Sequence, residues 1–244
     1  STLEDPTSSN FAPGDTSLAT VYGVISNYGQ GVTKRFTGDA AEVFDNSHFY
    51  NNVVDNSGKI AARIQLSELN TAATGAAPTP FTSGVYGIRT SVAGDYFVDN
   101  KQTGIISVST AGTGTMIGVE AGGTVSRMDI QNAGLIAAER TQAITLATVS
   151  ATGNPTGTSA GFSYNAATIN QGNAIQTQEE LEELNVLNTQ TGVIRTQGDY
   201  TGSIYMRADE KVIVNNGLIE HLSHAGGTDY SKGFAIGAVS DGGE

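Results

Sequence analysis

The heptapeptide Ile130-Gln131-Asn132-Ala133-Gly134-Leu135-Ile136 reads as strand, tight corner, strand, and it returns as Ile213-Val214-Asn215-Asn216-Gly217-Leu218-Ile219. In both copies Asn stands two residues before Gly, with Ile four before and two after the Gly. A looser copy is Val54-Asp55-Asn56-Ser57-Gly58-Lys59-Ile60. Gln102-Thr103-Gly104-Ile105-Ile106 and Gln190-Thr191-Gly192-Val193-Ile194 keep the Gly and the following Ile, with Gln at the Asn position. In Asn170-Gln171-Gly172-Asn173-Ala174-Ile175 the Ile is shifted by one. Read as repeat corners, these segments give Asn56, Gly58, Gly104, Asn132, Gly134, Gly172, Gly192, Asn215 and Gly217 a structural role. Ile faces inward, Gly relieves a positive-φ bend, and Asn stacks on its equivalents to form an amide ladder.

The corner glycines are spaced irregularly, between 20 and 46 residues apart. A propeller or a helical repeat holds a steadier period. A parallel β-helix tolerates the variation, because loops between its short strands lengthen without disturbing the stack. The competing reading makes Asn-x-Gly a hairpin turn of an antiparallel sheet. Against it stand the Ile at a fixed offset and flanking strands that recur in order, as in Ser203–Arg207, Lys211–Val214 and Gly217–Leu222. A similar order runs through 115–119, 125–130 and 135–136 to a next strand at Ala143–Leu146.

Composition agrees with a thin, turn-rich core. Of 244 residues 38% are apolar and 31 are Gly, but only 5 are Pro. The formal charge of −12 disfavours nucleic acid and anionic lipid. The absence of Cys excludes disulfides, thiolate metal sites and a Cys nucleophile. No apolar run is long enough for a transmembrane helix, and no signal peptide is recognisable.

Residues 1–17 read as an extended polar lead-in or cap, and 18–244 as a single β-helical domain. Ala72–Thr82 and Thr152–Thr158 read as loop excursions. Gln178–Asn185 predicts one short helical insertion: Thr177 and Glu180 have capping-box spacing, and Leu181 and Leu184 share a helical face.

The corners, the Thr/Ser/Gly/Asn-rich loops and the lack of Cys and Trp resemble the passenger regions of proteobacterial autotransporters and related secreted adhesins. The resemblance spans about residues 50–240 and implies a right-handed parallel β-helix, secreted or held at a bacterial cell surface. A translocating barrel is not part of it, because the chain has no terminal series of amphipathic ten-residue strands.

Catalytic signatures are sparse. Gly14-Asp15-Thr16-Ser17-Leu18 carries Thr where a related esterase motif needs its Ser nucleophile, and no Gly-x-Ser-x-Gly elbow exists. Of the three histidines, His48, His221 and His224, the last two lie three apart, on opposite faces of a strand. Asp55, Asp95, Asp99 and Asp229 are isolated acids, any of which could hold a loop calcium, the one cofactor the sequence suggests. Arg127 and Asp129 share a strand face, with Arg195 and Arg207 candidates for the same surface. Tyr86, Tyr96, Phe97 and Tyr205 could form a sugar platform.

The expectation is an all-β, non-enzymatic, extracellular structural or adhesive rod. Its partners would be copies of itself, assembling end to end as a filament or surface layer, or a cell-surface or matrix component. The alternative is a polysaccharide lyase or hydrolase on the same scaffold. A trimeric tail-spike fragment is a third reading.

Overall fold

The computed structural model describes residues 18–22, 25–28, 31–38, 40–44, 47–64, 84–90, 93–110, 114–122, 124–141, 145–149, 155–159, 162–165, 172–177, 181–222 and 233–239. Strands β1 (Leu18–Tyr22), β2 (Ile25–Tyr28), β3 (Val32–Lys34) and β4 (His48–Tyr50) come first, with a 3-10 turn at Ala41–Val43 between the last two. The chain then winds through β5 (Asn52–Asn56) and β6 (Lys59–Ile64). Next come β7 (Val85–Thr90), β8 (Gly94–Asn100) and β9 (Ile105–Thr110), then β10 (Met116–Ala121), β11 (Val125–Asn132) and β12 (Leu135–Arg140). After β13 (Thr145–Val149), β14 (Pro155–Ser159) and β15 (Phe162–Asn165), winding resumes with β16 (Gly172–Thr177), β17 (Leu181–Asn188) and β18 (Val193–Gln197). It ends with β19 (Thr201–Asn215), β20 (Leu218–Leu222) and β21 (Gly233–Val239).

Successive windings stack in parallel. One sheet runs β1-β6-β9-β12-β18-β20, and a second runs β2-β5-β8-β11-β17-β19. Strand β19 is long enough to join the second sheet to a third, in which β7, β10, β16, β19 and β21 are neighbours. The pairs along these sheets are parallel except at one end, where β1 lies antiparallel on β6 and β2 antiparallel on β5. The molecule is nearly all β, and its parallel sheets curl into a half-barrel, an arrangement compatible with a β-solenoid.

The core follows from register. Ile60, Ile106, Ile136, Ile194 and Ile219 occupy equivalent positions of β6, β9, β12, β18 and β20. Val54, Val98, Ile130, Val186 and Ile213 do the same in the second sheet. Both columns meet in one apolar cluster. Parallel pairing places like on like, so branched side chains nest along the stack, each fully buried one contributing about 1.5–3 kcal/mol. The Ile four before the corner Gly and the Ile two after it thus serve two different sheets.

At the bend between those sheets the asparagines form the expected ladder. Asn56, Asn100, Asn132 and Asn188 each donate from Nδ2 to Oδ1 of the next, ending on Asn215, every bond at 2.8 Å. All but Asn215 are completely buried. Each Nδ2 also reaches a carbonyl: Ile105 from Asn56, Leu135 from Asn100, Val193 from Asn132 and Leu218 from Asn188. Two rungs differ from expectation. At the longer corners the rung is Asn100 or Asn188, four residues before Gly104 or Gly192, while Gln102 and Gln190 are exposed.

The structure corrects four further readings. The corner glycines are not left-handed: among the described residues the positive-φ glycines are Gly38, Gly94 and Gly198. Glycine is needed for close approach. A Cβ on Gly134 would sit 2.2 Å from the carbonyl oxygen of Gly104, and one on Gly217 2.2 Å from that of Gly192. Gly172 is no corner, but the first residue of β16, opposite Met116 and Thr201. Thr145 and Leu146 belong to an antiparallel three-stranded excursion, β13-β14-β15, not to the next winding.

The helical insertion is the fourth correction. From Leu181 the stretch is strand β17, paired in parallel with β11 and β19; Gln178–Glu180 lie outside the described residues. An isolated helix of eight residues is worth little. As a strand, the same residues put Leu184, Val186 and Asn188 into the columns of Met128, Ile130 and Asn132. The lead-in 1–17, the excursion 72–82, residues 152–154 of the second excursion, and His224, Asp229 and the Thr16 motif also lie outside the described residues.

Gly134→Val and Asn132→Leu test this arrangement. Asn132→Leu takes the donor from Asn188 Oδ1 and the Oδ1 partner from Asn100 Nδ2, which keeps only its carbonyl contacts, and should cost about 1–3 kcal/mol. Gly134→Val drives the corner carbonyls apart and should prevent native folding. Chemical denaturation followed by circular dichroism measures both; wild-type stability in the two variants would refute the stacked-corner arrangement.

Candidate functional site

Outward positions of the second sheet form polar rows, and residues 31–50 lie across them. One row runs Asp55, Asp99, Gln131, Leu187, Val214; the next runs Val53, Phe97, Asp129, Asn185, Val212. A third includes Asp95, Arg127 and Glu183. The covering segment packs Phe36, Phe44 and Tyr50 onto Val53, Phe97 and Leu187. Phe36 and Phe44 stack with centroids 4.2 Å apart, Phe36 is tilted against Phe97 at 5.3 Å, and Tyr50 meets Phe97 edge to face at 5.0 Å.

Polar contacts pin the segment at four points. Lys34 Nζ bonds both carboxylate oxygens of Asp55 at 2.8 Å. His48 Nε2 lies 2.7 Å from Asp95 Oδ2. Thr37 N donates to Gln131 Oε1 at 2.7 Å, and Gln131 Nε2 returns a bond to Thr37 Oγ1 at 2.9 Å. The innermost point is Tyr50, whose hydroxyl donates to Asp129 Oδ2.

Asp129 is the most heavily coordinated acid of the group. Besides Tyr50 it accepts from Arg127 Nε at 3.0 Å and, on Oδ1, from Asn185 Nδ2 at 3.0 Å. Arg127 also binds Glu183, which in turn accepts from Asn185 at 2.7 Å. Asp129 and Tyr50 are almost completely shielded from solvent. Burial pushes the Asp129 carboxyl above its ordinary range, although the bonds from Tyr50 and Arg127 pull the other way. Burial, then the Asp129 charge, pushes the Tyr50 phenol far above its usual value. Burial alone would lower Arg127, but the bond and charge of Asp129 and the charge of Glu183 hold it raised. The group is thus a protonated phenol and a guanidinium closed around one carboxylate, with both carboxylate oxygens engaged. Its chemistry suits clamping more than proton transfer.

On the exposed side of the same segment, Arg35, Phe36, Thr37, Gly38, Ala41, Glu42, Phe44 and Ser47 line a surface pocket of about 520 Å3. It is formed where the backbone turns through left-handed Gly38 and Ala40.

The other candidates disperse. Arg195 pairs with Glu220 at 2.5 Å on the first sheet. Arg207 uses its backbone N–H to bond Thr177 Oγ1 in the third. Tyr96 points into the core, Phe97 outward, Tyr86 lies under Arg89 at 4.5 Å, and Tyr205 neighbours Phe234, so these rings share no platform. Of the calcium candidates, Asp55 is bound to Lys34, Asp95 to His48 and Asp99 to Lys101. Among the described residues no group of three His, Cys, Asp or Glu could hold a metal ion. His221 receives or donates a bond at Nδ1 with the hydroxyls of Thr196 and Thr201, and burial lowers its pKa, with Asp199 opposing.

Three residues went unnoticed in the sequence: Tyr50, Asn185 and Glu120. The fully buried Glu120 faces Arg89 at 2.6 Å, yet neither of its oxygens receives a well-aligned hydrogen bond. Burial raises its pKa against the opposing Arg89 charge.

No family model, curated protein or solved structure matches the chain. No helix among the described residues is long and apolar enough to cross a membrane.

Tyr50→Phe removes one charge-assisted bond while keeping the ring, and should cost about 1.5–3 kcal/mol. It should also speed hydrogen exchange in β3 and β4 more than in β12; equal exchange throughout would argue against a clamp. Glu120 sets a pH dependence. The unfolded carboxyl ionises near 4.5, the folded one only at higher pH. Between the two values the native chain holds a proton that the unfolded chain has lost, so stability falls as pH rises through that window. Thermal melts should show Glu120→Gln with a smaller fall than wild type as pH rises above the unfolded value of 4.5; identical profiles would count against this origin.

Proposed function

We propose that the chain is a right-handed parallel β-helix serving as a structural or adhesive protein at the outside of a bacterial cell, a rod that self-associates or carries an adhesive surface. The observation that carries the reading is the uninterrupted ladder of buried amides beside two columns of stacked Ile and Val. Such an arrangement invests in stiffness along one axis. Right-handedness accords with the strong preference of parallel crossover connections. The resemblance to autotransporter passengers and secreted adhesins rests on the corners, the Thr/Ser/Gly/Asn-rich loops and the lack of Cys and Trp.

The geometry favours this reading over a polysaccharide lyase or hydrolase. Arg127 and Asp129, the pair best placed for such chemistry, are bonded to each other and roofed by Tyr50. A glycosidase needs two carboxyl groups standing free on either side of the scissile bond. The test is to incubate purified protein with matrix-coated surfaces, intact cells and a panel of acidic and neutral polysaccharides. Saturable binding without release of reducing or unsaturated ends is expected. Turnover of any polysaccharide would overturn the reading.

A further inference from the structure

The two ends of the stack are unlike. At the first, β1 and β2 lie on β6 and β5, and Ile60 of the first-sheet column is 7% exposed. At the other, β20 is the last strand of the first sheet, and β19 and β21 are last in the other two. There Ile236, in register with the fully buried Ile204, is 48% exposed, alongside Leu218 at 43%, Leu222 at 39% and Val212 at 38%. The other exposed large apolar side chains among the described residues are Val43 and Phe49, both in the segment 31–50.

We propose that this apolar end docks onto the β1/β2 end of a second copy, so that chains join head to tail. The inference rests on the scaffold reading above and names its partner. Among the described residues each of the first two sheets has an unpaired edge at both ends: β20 and β1 in one, β19 and β2 in the other. One rigid displacement along the stack therefore brings both pairs of edges together, in antiparallel register because β1 and β2 run opposite to the strands behind them.

Charge selects the same partner. Strands β19 and β20 carry Asp209, Glu210 and Glu220, the last paired with Arg195, against Arg207 and Lys211, whereas β6 in the first winding carries Lys59 and Arg63. Two open ends meeting would set the acids against themselves. Head to tail, Glu220 of β20 approaches Lys59 and Arg63 of β6 across β1, at roughly two strand spacings, about 10 Å, which is comparable with the screening length at about 0.1 M salt. Lys211 falls in the column held by Leu184 and Met128 in earlier windings. An inward charge of this kind discourages indiscriminate strand addition and leaves the edge to a matched surface. A contact between unlike ends that does not close on itself grows into a filament.

Light scattering coupled to size exclusion, with negative-stain microscopy, tests the proposal on the full chain over a range of concentrations. Wild type should grow in mass with concentration and form threads. Leu218→Lys with Ile236→Lys should weaken association at least tenfold with an unchanged circular dichroism spectrum. Mixed into wild type, that variant should shorten the threads, because its β1/β2 end still docks. If the double variant loses its β signature, Leu222→Lys, at an outward position, takes its place. A wild type that is monomeric throughout, or that stops at a dimer, overturns head-to-tail docking while leaving the scaffold reading intact. Altered binding to cells or matrix would bear on the latter alone.

Discussion

The buried amide ladder is the interaction on which the rest of this molecule depends. An amide shut away from water costs several kcal/mol unless both its donor and acceptor sides are met. Here each Asn meets its neighbour's, so the satisfaction of one rung requires the next to stand at the same corner. That requirement sets the vertical register of the first and second sheets together. Once it is set, the Ile and Val columns follow without further instruction, since a parallel ladder keeps identical offsets on every strand. Apolar packing supplies the larger share of the stabilisation, but a two-residue slip would keep its inward face inward; the amides tolerate no slip.

The same constraint explains where the chain is free to vary. Backbone bonds cross the corner from winding to winding: Ala133 N to Asn100 O, Thr189 N to Asn132 O, Asn216 N to Asn188 O. The corner can hold either one or three residues between Asn and Gly, provided Asn begins it and Gly ends it. Away from the corner, the chain between β12 and β16 accommodates a three-stranded antiparallel excursion. The segment 31–50 likewise adds a covering layer to the second sheet. Its clamp on Asp129 shows how a polar outer face is closed: both oxygens of that carboxylate find donors, and aromatic rings pack beside them.

Much of the sheet architecture was legible in the sequence because its signals are local. Asn132, Gly134 and the flanking Ile residues stand within seven positions, and their recurrence at 213–219 announces stacking. Legibility failed where a local pattern competed with a distant partner. The stretch 178–185 has good helical spacing, yet β11 and β19 offered pairing on both sides, and long-range burial of Leu184 and Val186 outweighed local propensity. Gln102 and Gln190 occupied the offset that the shorter corners taught, so Asn100 and Asn188 were overlooked; anchoring on the Ile after Gly and reading back to the last strand residue would have found them. The Tyr50–Asp129 contact joins residues 79 apart and left no local trace. Arg127 and Asp129 were visible as a pair because strand periodicity brings i and i+2 together, but their closure by Tyr50 was not. Glycine was correctly marked at four of the ladder corners, though for the wrong reason: crowding by a carbonyl oxygen, not a positive φ.

The ladder also gives the stack a direction. Every Nδ2 bond points from an earlier winding to a later one. At the first rung, Asn56 Oδ1 is occupied by the backbone N–H of Gly58. At the last, Asn215 accepts from Asn188, and its own amide stands exposed, with no described residue continuing the chain of bonds. One terminus is thus an acceptor already satisfied from within, the other a donor facing outward. The sheets repeat this polarity, since antiparallel strands form one end and parallel strands the other. No symmetry axis relates the two ends of such a stack. The two ends of the stack are therefore unlike surfaces, and the hydrogen bonds that order the interior set which is which.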